Sequence, residues 1–136
     1  MYIHKTNHSE ITDSNYYQLG YTYYQQKDYE KAITQFNKII EGNDFVAQNA
    51  YYHLAESYLN TDKKQQALNA FKTASEMTFD TKIQEDAALN YTKLSYEIGN
   101  PYVSTPEILK SFMDKYPANP NNQELKSLLI NSYITS

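Results

Sequence analysis

Two eight-residue stretches decide the fold: YYQLGYTY at residues 16–23 and YYHLAESY at residues 51–58. They share a tyrosine, a leucine, a small residue and a second tyrosine at the same positions, and they are 35 residues apart. An Ala-x3-Phe motif at 32–36 is repeated at 67–71, which is the same offset of 35 residues. Because apolar residues spaced three and four apart share one face of a helix, we predict an internal repeat built from pairs of antiparallel helices.

The small residues of this pattern have a physical function. Gly20 and Ala55 lie where the two helices of a unit would approach most closely, and Ala32 and Ala67 would face them from the second helix. A larger side chain at any of these places would force the helices apart. The phenylalanine of each Ala-x3-Phe motif would then fill the space between one unit and the next.

The pattern resembles the tetratricopeptide repeat, a helix-turn-helix unit of about 34 residues. The first unit matches the signature positions of that family at Tyr16, Leu19, Gly20, Tyr23, Ala32 and Phe36. The second unit matches them at Tyr51, Leu54, Ala55, Tyr58, Ala67, Phe71 and Ala74. The resemblance implies an all-α fold, a right-handed α-solenoid of about three helical hairpins plus a C-terminal helix.

A third unit is present in a weaker form. Residues 80–84 look like an insertion relative to the second unit. Gly99 predicts the end of its first helix, because glycine is favoured just after a helix. The stretch Thr-Pro-Glu at 105–107 predicts the start of its second helix, with a capping hydroxyl followed by proline. The stretch 108–112, which runs from isoleucine to phenylalanine, corresponds to the Ala-x3-Phe motif.

These units predict a polar leader at 1–12 followed by a single repeat domain at 13–136. The repeats are expected at about 13–46, 48–81 and 84–120, with a final helix at 122–135. Leu129, Ile130 and Tyr133 fit the first helix of a fourth unit that has no second helix. We therefore expect a fragment of a longer protein that can self-associate through this helix; a natural end is the alternative.

The family resemblance also implies that the first helix of each hairpin lines a concave groove. The groove positions are Tyr17, Tyr21, Tyr24, Gln25, Asn49, Tyr52, His53, Glu56, Leu59 and Asn90. Three of these tyrosines share one helix face on the first repeat, opposite its packed face. Tyrosine suits a contact surface because it offers a large area and a polar tip. Equally, the three rings can pack on each other or on the next repeat, and both interpretations stay open.

The resemblance implies a protein–protein interaction scaffold that holds an extended or helical segment of a partner in this groove. Glycan or small-ligand binding on the tyrosines is an alternative, and so is a purely architectural role. Some family members hold a C-terminal carboxylate with a lysine, arginine and asparagine clamp. In this sequence the matching positions are Tyr17, Tyr21, His53, Asp86 and Asn90. Of these, Asn90 alone has the expected residue type, which excludes binding of a partner's C-terminal carboxylate by such a clamp.

Composition excludes several other classes. The 136 residues carry a formal net charge of -4, and all 12 basic residues are lysine, which argues against a nucleic-acid partner. The negative charge favours a neutral or basic partner. The three glycines are isolated, so there is no phosphate-binding loop, and we predict no enzyme, no catalytic residue, no cofactor and no metal. No apolar run approaches the roughly 18 residues of a membrane helix, so no direct membrane insertion is expected.

The stretch FMDKYPANP at 112–120 bears on the cellular compartment of the protein. It resembles the Tyr-Pro-x-Asn/Ser-Pro ending that is common in envelope-assembly members of the family in Gram-negative bacteria. This favours a periplasmic or outer-membrane-associated scaffold, while a cytoplasmic location stays open. The absence of cysteine fits either compartment.

Overall fold

A computed structural model of the chain describes residues 2–39 and 41–135, with the side chains of 13–39 and 41–134. Within these residues the backbone forms seven α-helices and no strand, which confirms the predicted all-α fold. The helices are α1 (Tyr2–Gln25), α2 (Tyr29–Phe36), α3 (Phe45–Asn60), α4 (Lys64–Glu76), α5 (Thr81–Ile98), α6 (Thr105–Lys115) and α7 (Asn122–Thr135). A short 3₁₀ segment, Asn37–Ile39, follows α2.

The helices pack as hairpins in series. Helices α1 and α2, α3 and α4, and α5 and α6 form the three hairpins, and α7 packs on α5 and α6. Each hairpin also contacts the first helix that follows it, so the chain has the packing of a helical-repeat solenoid. The segment for which the sequence suggested a polar leader, 1–12, lies within α1 from Tyr2 onward.

The turns of the first two hairpins are equivalent in structure. Lys27 and Asp62 are 35 residues apart, and both have left-handed backbone conformations with φ of 64° and 60°. The next amide donates to a tyrosine carbonyl in each turn, from Asp28 N to Tyr23 O at 2.9 Å and from Lys63 N to Tyr58 O at 2.8 Å. The repeat offset that the sequence showed is therefore also the offset of the backbone.

The core consists of three apolar clusters, each between one hairpin and the next helix. The first joins the α2 region to α3 through Ala32, Ile33, Phe36, Ile39, Ala50 and Leu54. The second joins the second hairpin to α5 through Ala55, Ala67, Leu68, Ala70, Phe71, Ala74, Ala87 and Leu94. The third joins α6 to α7 through Leu109, Phe112 and Leu125. Burying each of the large side chains contributes about 1.5–3 kcal/mol.

Gly20 shows why the closest approach requires a small residue. A Cβ atom at this position would lie 2.8 Å from Cε1 of Phe36, which is fully buried. Any side chain there would have to displace the phenylalanine ring from the first core cluster. A small residue is therefore required at position 20, and the side chain that excludes a Cβ atom there is Phe36 rather than the predicted Ala32.

One predicted helix boundary is wrong by one residue, and the insertion expected at 80–84 is the cap and first turn of a helix. The carboxylate of Asp80 accepts from the amides of Lys82 and Ile83 at 3.0 and 3.1 Å and caps α5, so the helix begins at Thr81. The cap of α6 is Ser104 rather than Thr105. The predicted end of α5 is correct, because Gly99 follows the helix with a φ of 81°.

Leu19 does not lie in the packed interior that the repeat pattern predicted for it. Leu19 is 42% exposed to solvent, whereas Leu54 at the same repeat position is 3% exposed. Leu54 is covered because it packs into the first core cluster against the preceding hairpin. In the described part of the chain, no hairpin precedes α1 to cover Leu19 in the same way.

A buried amide fixes the connection between the second and third hairpins. The Nε2 atom of Gln48 donates to the carbonyls of Met77, Ala74 and Asp80 at 2.7, 3.2 and 3.2 Å. Its Oε1 atom accepts from the amide of Asp80 at 2.8 Å. Gln48 is fully buried and thereby satisfies backbone groups at the end of α4 and the start of α5.

We expect Gln48→Leu to lower the free energy of unfolding by about 1–3 kcal/mol, because it leaves these buried backbone groups without partners. Urea unfolding followed by circular dichroism measures the change. Gln65→Leu is the matched control, since Gln65 is exposed on α4. Equal stability of the two variants would contradict the role assigned to Gln48.

Candidate binding groove

The tyrosines on the groove face of α1 stack along the helix. The ring centroids of Tyr17 and Tyr21 are 6.0 Å apart, and those of Tyr21 and Tyr24 are 5.9 Å apart. The rings within each pair are nearly parallel, and all three residues are half-buried. One side of this row therefore belongs to the packing of the protein itself.

His53 on α3 packs against the same row. Its ring centroid lies 4.9 Å from that of Tyr24, 5.1 Å from that of Tyr21 and 6.2 Å from that of Tyr17. One carboxylate oxygen of Glu56 accepts from the Tyr24 hydroxyl at 2.9 Å and lies 3.0 Å from Nδ1 of His53. These side chains form a continuous contact between the first and second hairpins.

Tyr52 extends the cluster toward the third hairpin. Its ring lies edge-on to Phe71 at 6.0 Å and to His53 at 5.4 Å. Burial raises the pKa of Tyr52 to about 12, with further contributions from the carboxylates of Glu56 and Asp86. Asp86 on α5 is thus close enough to act on the Tyr52 hydroxyl.

Two further tyrosine hydroxyls have raised pKa values. Burial, with a smaller effect of Tyr21, raises the pKa of Tyr17 to about 12. Burial also raises the pKa of Tyr24, and the hydrogen bond to Glu56 raises it further because that bond requires the protonated hydroxyl. The hydroxyls of Tyr17, Tyr24 and Tyr52 therefore stay protonated above the usual tyrosine pKa of 10.0.

The structure brings six of the ten predicted groove residues into one cluster, here called the aromatic cluster: Tyr17, Tyr21, Tyr24, Tyr52, His53 and Glu56. Gln25 is exposed at the end of α1, and Asn49 donates to the carbonyl of Phe45 at 3.0 Å on its own helix. Leu59 packs against the second core cluster. Asn90 is half-buried and donates to the backbone carbonyl of Asp86 at 2.8 Å.

The sequence placed Asp86 at one of the clamp positions of the groove but did not include it among the candidate binding residues. The third repeat is shifted by five residues relative to the second, because Leu94 and Ser95 are buried and take the places of Leu54 and Ala55, which are 40 residues earlier. The available signal was the motif Tyr-x2-Leu-small, which recurs with tyrosine at 91. Aligning on that motif gives the correct register for Leu94 and Ser95, but α5 begins at Thr81, about one turn earlier than the start of α3 would predict.

Charge in the groove is unevenly compensated. Lys93 on α5 forms an ion pair with Glu124 on α7 at 3.1 Å, and Glu85 accepts from Asn119 at 2.7 Å. The Glu56 carboxylate is engaged by Tyr24. In the part of the chain that the structure describes, the Asp86 carboxylate has no ion pair or side-chain hydrogen bond. The groove between the second and third hairpins therefore has a free anionic group beside a tyrosine.

The described residues form neither a metal site nor a membrane-spanning helix. No group of three or more histidine, cysteine, aspartate or glutamate side chains is arranged to hold a metal ion. No helix in these ranges combines the length and the apolar character needed to cross a membrane.

The hairpins in series define a helical-repeat protein, and comparison with known families agrees. A family model described as "Anaphase-promoting complex, cyclosome, subunit 3", a family of tetratricopeptide-repeat type, matches residues 3–74, more than half of the chain. The chain therefore belongs to the tetratricopeptide-repeat family. No curated protein matches it. Families of this type typically bind other proteins and are generally non-catalytic scaffolds.

We expect the free energy of unfolding to fall as the pH rises from about 10 to about 12. The usual tyrosine pKa is 10.0, whereas Tyr17 and Tyr52 in the folded chain have pKa values of about 12. The unfolded chain binds fewer protons in this window, so raising the pH favours unfolding. Urea unfolding at a series of pH values measures the slope.

The variant Tyr52→Phe tests the assignment, because it removes one of these hydroxyls and should make the slope shallower. The control is Tyr102→Phe, since Tyr102 is 82% exposed. If Tyr52→Phe kept the full slope, the raised pKa of Tyr52 would not be its source.

Proposed function

We propose that the chain is a protein–protein interaction scaffold that binds a partner segment in the groove formed by α1, α3 and α5. The observation that carries the proposal is the half-buried ring of Tyr52, which lies edge-on to His53 and Phe71 and whose pKa is raised by burial and by the carboxylates of Glu56 and Asp86. The half-buried ring of Tyr52 would supply contact area for a partner, and the nearby carboxylate of Asp86 would orient a polar or basic side chain of that partner.

The arrangement of the rings favours a polypeptide partner over a sugar. A tyrosine platform for glycans needs open ring faces, but Tyr17, Tyr21 and Tyr24 stack on each other and on His53. Ring edges and hydroxyls then supply most of the remaining contact area, and these suit the amides and side chains of a peptide. The glycan alternative therefore has less support than peptide binding.

The charge of the groove favours a basic partner segment. A lysine or arginine near Asp86 would compensate its carboxylate, and its stem would lie along the ring of Tyr52. The negative charge of the whole chain would also attract such a segment over a longer range. The partner that fits best is an extended segment with at least one basic side chain.

A library of random peptides displayed on phage, selected on the immobilised chain, tests this function. We expect the selected sequences to be rich in lysine or arginine. Asp86→Asn should weaken the binding of the selected peptides up to about 5-fold, as expected for loss of an exposed ion pair of about 0.2–1 kcal/mol. Added salt should weaken binding to the parent chain more than to the variant.

Asp114→Asn on α6 is the matched control, because it makes the same chemical change away from the groove and on an exposed residue. Selection of no sequence would oppose the groove function. Sequences that bind the parent and Asp86→Asn equally would oppose the proposed contact with Asp86.

A second candidate function is assembly through the ends of the solenoid, and two exposed positions favour it. Leu19 on α1 is far more exposed than its counterpart Leu54. Ile130 on α7 is 60% exposed, whereas Ala55 at the corresponding repeat position is fully buried against its own second helix. Both ends thus present side chains at positions that a further helix covers elsewhere in the chain.

If the ends associate, Ile130→Lys should shift the self-association curve to higher protein concentration, because a lysine cannot be buried in an apolar contact without a partner. Sedimentation velocity over a concentration series measures this shift. Gln65→Lys, at an exposed position of α4, is the control. A parent chain that stays monomeric throughout the series would exclude assembly through α7.

The envelope location suggested by residues 112–120 is a separate proposal, carried by sequence resemblance alone. Fractionation of the source cells with an antibody to the chain tests it. Recovery in the cytosolic fraction would exclude it.

A further inference from the structure

A cavity opens between α4, α5 and α6, on a different surface from the aromatic cluster. Its volume is about 500 Å³, and its lining comes from the end of α4, the middle of α5 and one face of α6. The corresponding space between the first and second hairpins is lined in part by Tyr51 and Leu54 and measures about 210 Å³. The larger cavity, here called the wedge, has a volume typical of small-molecule sites.

The wedge lies at the hairpin that departs from the repeat pattern. Ile108 stands where the first two hairpins have Ala32 and Ala67, both fully buried. Helices α5 and α6 also pack less extensively than the helices of the two hairpins before them. The wedge therefore coincides with a bulkier residue and with a less extensive contact between the two helices.

The loop at its rim is held in place by one asparagine. The Nδ2 atom of Asn100 donates to the Tyr91 hydroxyl at 2.7 Å, and its Oδ1 atom accepts from the amides of Tyr102 and Val103 at 2.9 and 3.1 Å. Tyr91 and Val103 both line the wedge. Because this loop is already ordered, a ligand that binds in the wedge would lose less conformational entropy in the protein.

The lining combines an apolar floor with one uncompensated cation. Ile108, Phe112 and Tyr91 supply apolar surface. Of the two charged residues, Glu76 accepts from Lys72 at 2.6 Å. Lys115 lies with its ammonium 5.6 Å from the ring centre of Tyr116, and among the described residues no carboxylate is within ion-pair distance of it.

We propose that the wedge binds a small carboxylate with an apolar chain, such as a medium-chain fatty carboxylate. The apolar chain would cover the exposed Val103 and the half-buried Tyr91, and the carboxylate would pair with Lys115 at the end of α6. Because Glu76 is already paired with Lys72, an apolar amine is not the preferred ligand. This site is independent of the peptide groove.

The test uses the full chain labelled with ¹⁵N and titrated separately with decanoate and decanol. We expect saturable chemical-shift changes centred on Ala88, Val103 and Phe112 with decanoate, and weaker binding of decanol. Lys115→Gln should weaken decanoate binding about 2- to 5-fold, the range of an exposed ion pair, without changing decanol binding.

Ser111 lines the wedge and is exposed, so it offers a matched pair of variants. Ser111→Leu should fill the wedge and abolish decanoate binding, while Ser111→Ala should retain it; circular dichroism confirms that both are folded. Peptides selected on the groove should bind all these variants equally. The proposal is overturned if decanoate gives no saturable shifts, if decanol binds as tightly, or if Ser111→Leu still binds decanoate.

Discussion

The close approach of the two helices within a hairpin is the constraint on which the rest of the structure depends. At Gly20 there is no space for a Cβ atom beside the ring of Phe36, and Ala32 on the facing helix is fully buried. The same ring belongs to the cluster that contains Ala50 and Leu54 of the next hairpin. The contact that closes one hairpin therefore also positions the next, and the groove along the first helices follows from it.

The aromatic cluster shows that the tyrosine row takes part in the packing of the protein, while binding of a partner there stays a proposal. Tyr24 and His53 both meet one oxygen of Glu56, so that carboxylate joins the first two hairpins. The carboxylate of Asp86 on α5 raises the pKa of Tyr52 together with burial and Glu56. Packing thus accounts for the rings near Glu56, and the proposed contact with a partner concerns Tyr52 and Asp86.

The sequence predicted the first two hairpins well because their spacing repeats without interruption and their small residues have a steric reason. It could not predict the environment of Gln48, since a glutamine within an amphipathic helix gives no sign that its amide is fully buried. It misplaced the start of α5 because an aspartate such as Asp80 fits a loop as well as a helix cap. The exposure of Leu19 depends on what precedes α1, which the periodicity of a single unit does not contain.

The third hairpin shows how a departure from the repeat pattern acquires structural meaning. The family match ends at residue 74, before this hairpin begins. Ile108 replaces the small residue on the second helix, yet the third core cluster still forms, because Leu109 and Phe112 pack against Leu125 of α7. The contact between this hairpin and the next helix is therefore retained, although α5 and α6 pack less extensively than the helices of the first two hairpins. The close approach that fixes the first hairpin at Gly20 is thus weaker in the third, and the wedge lies where it weakens.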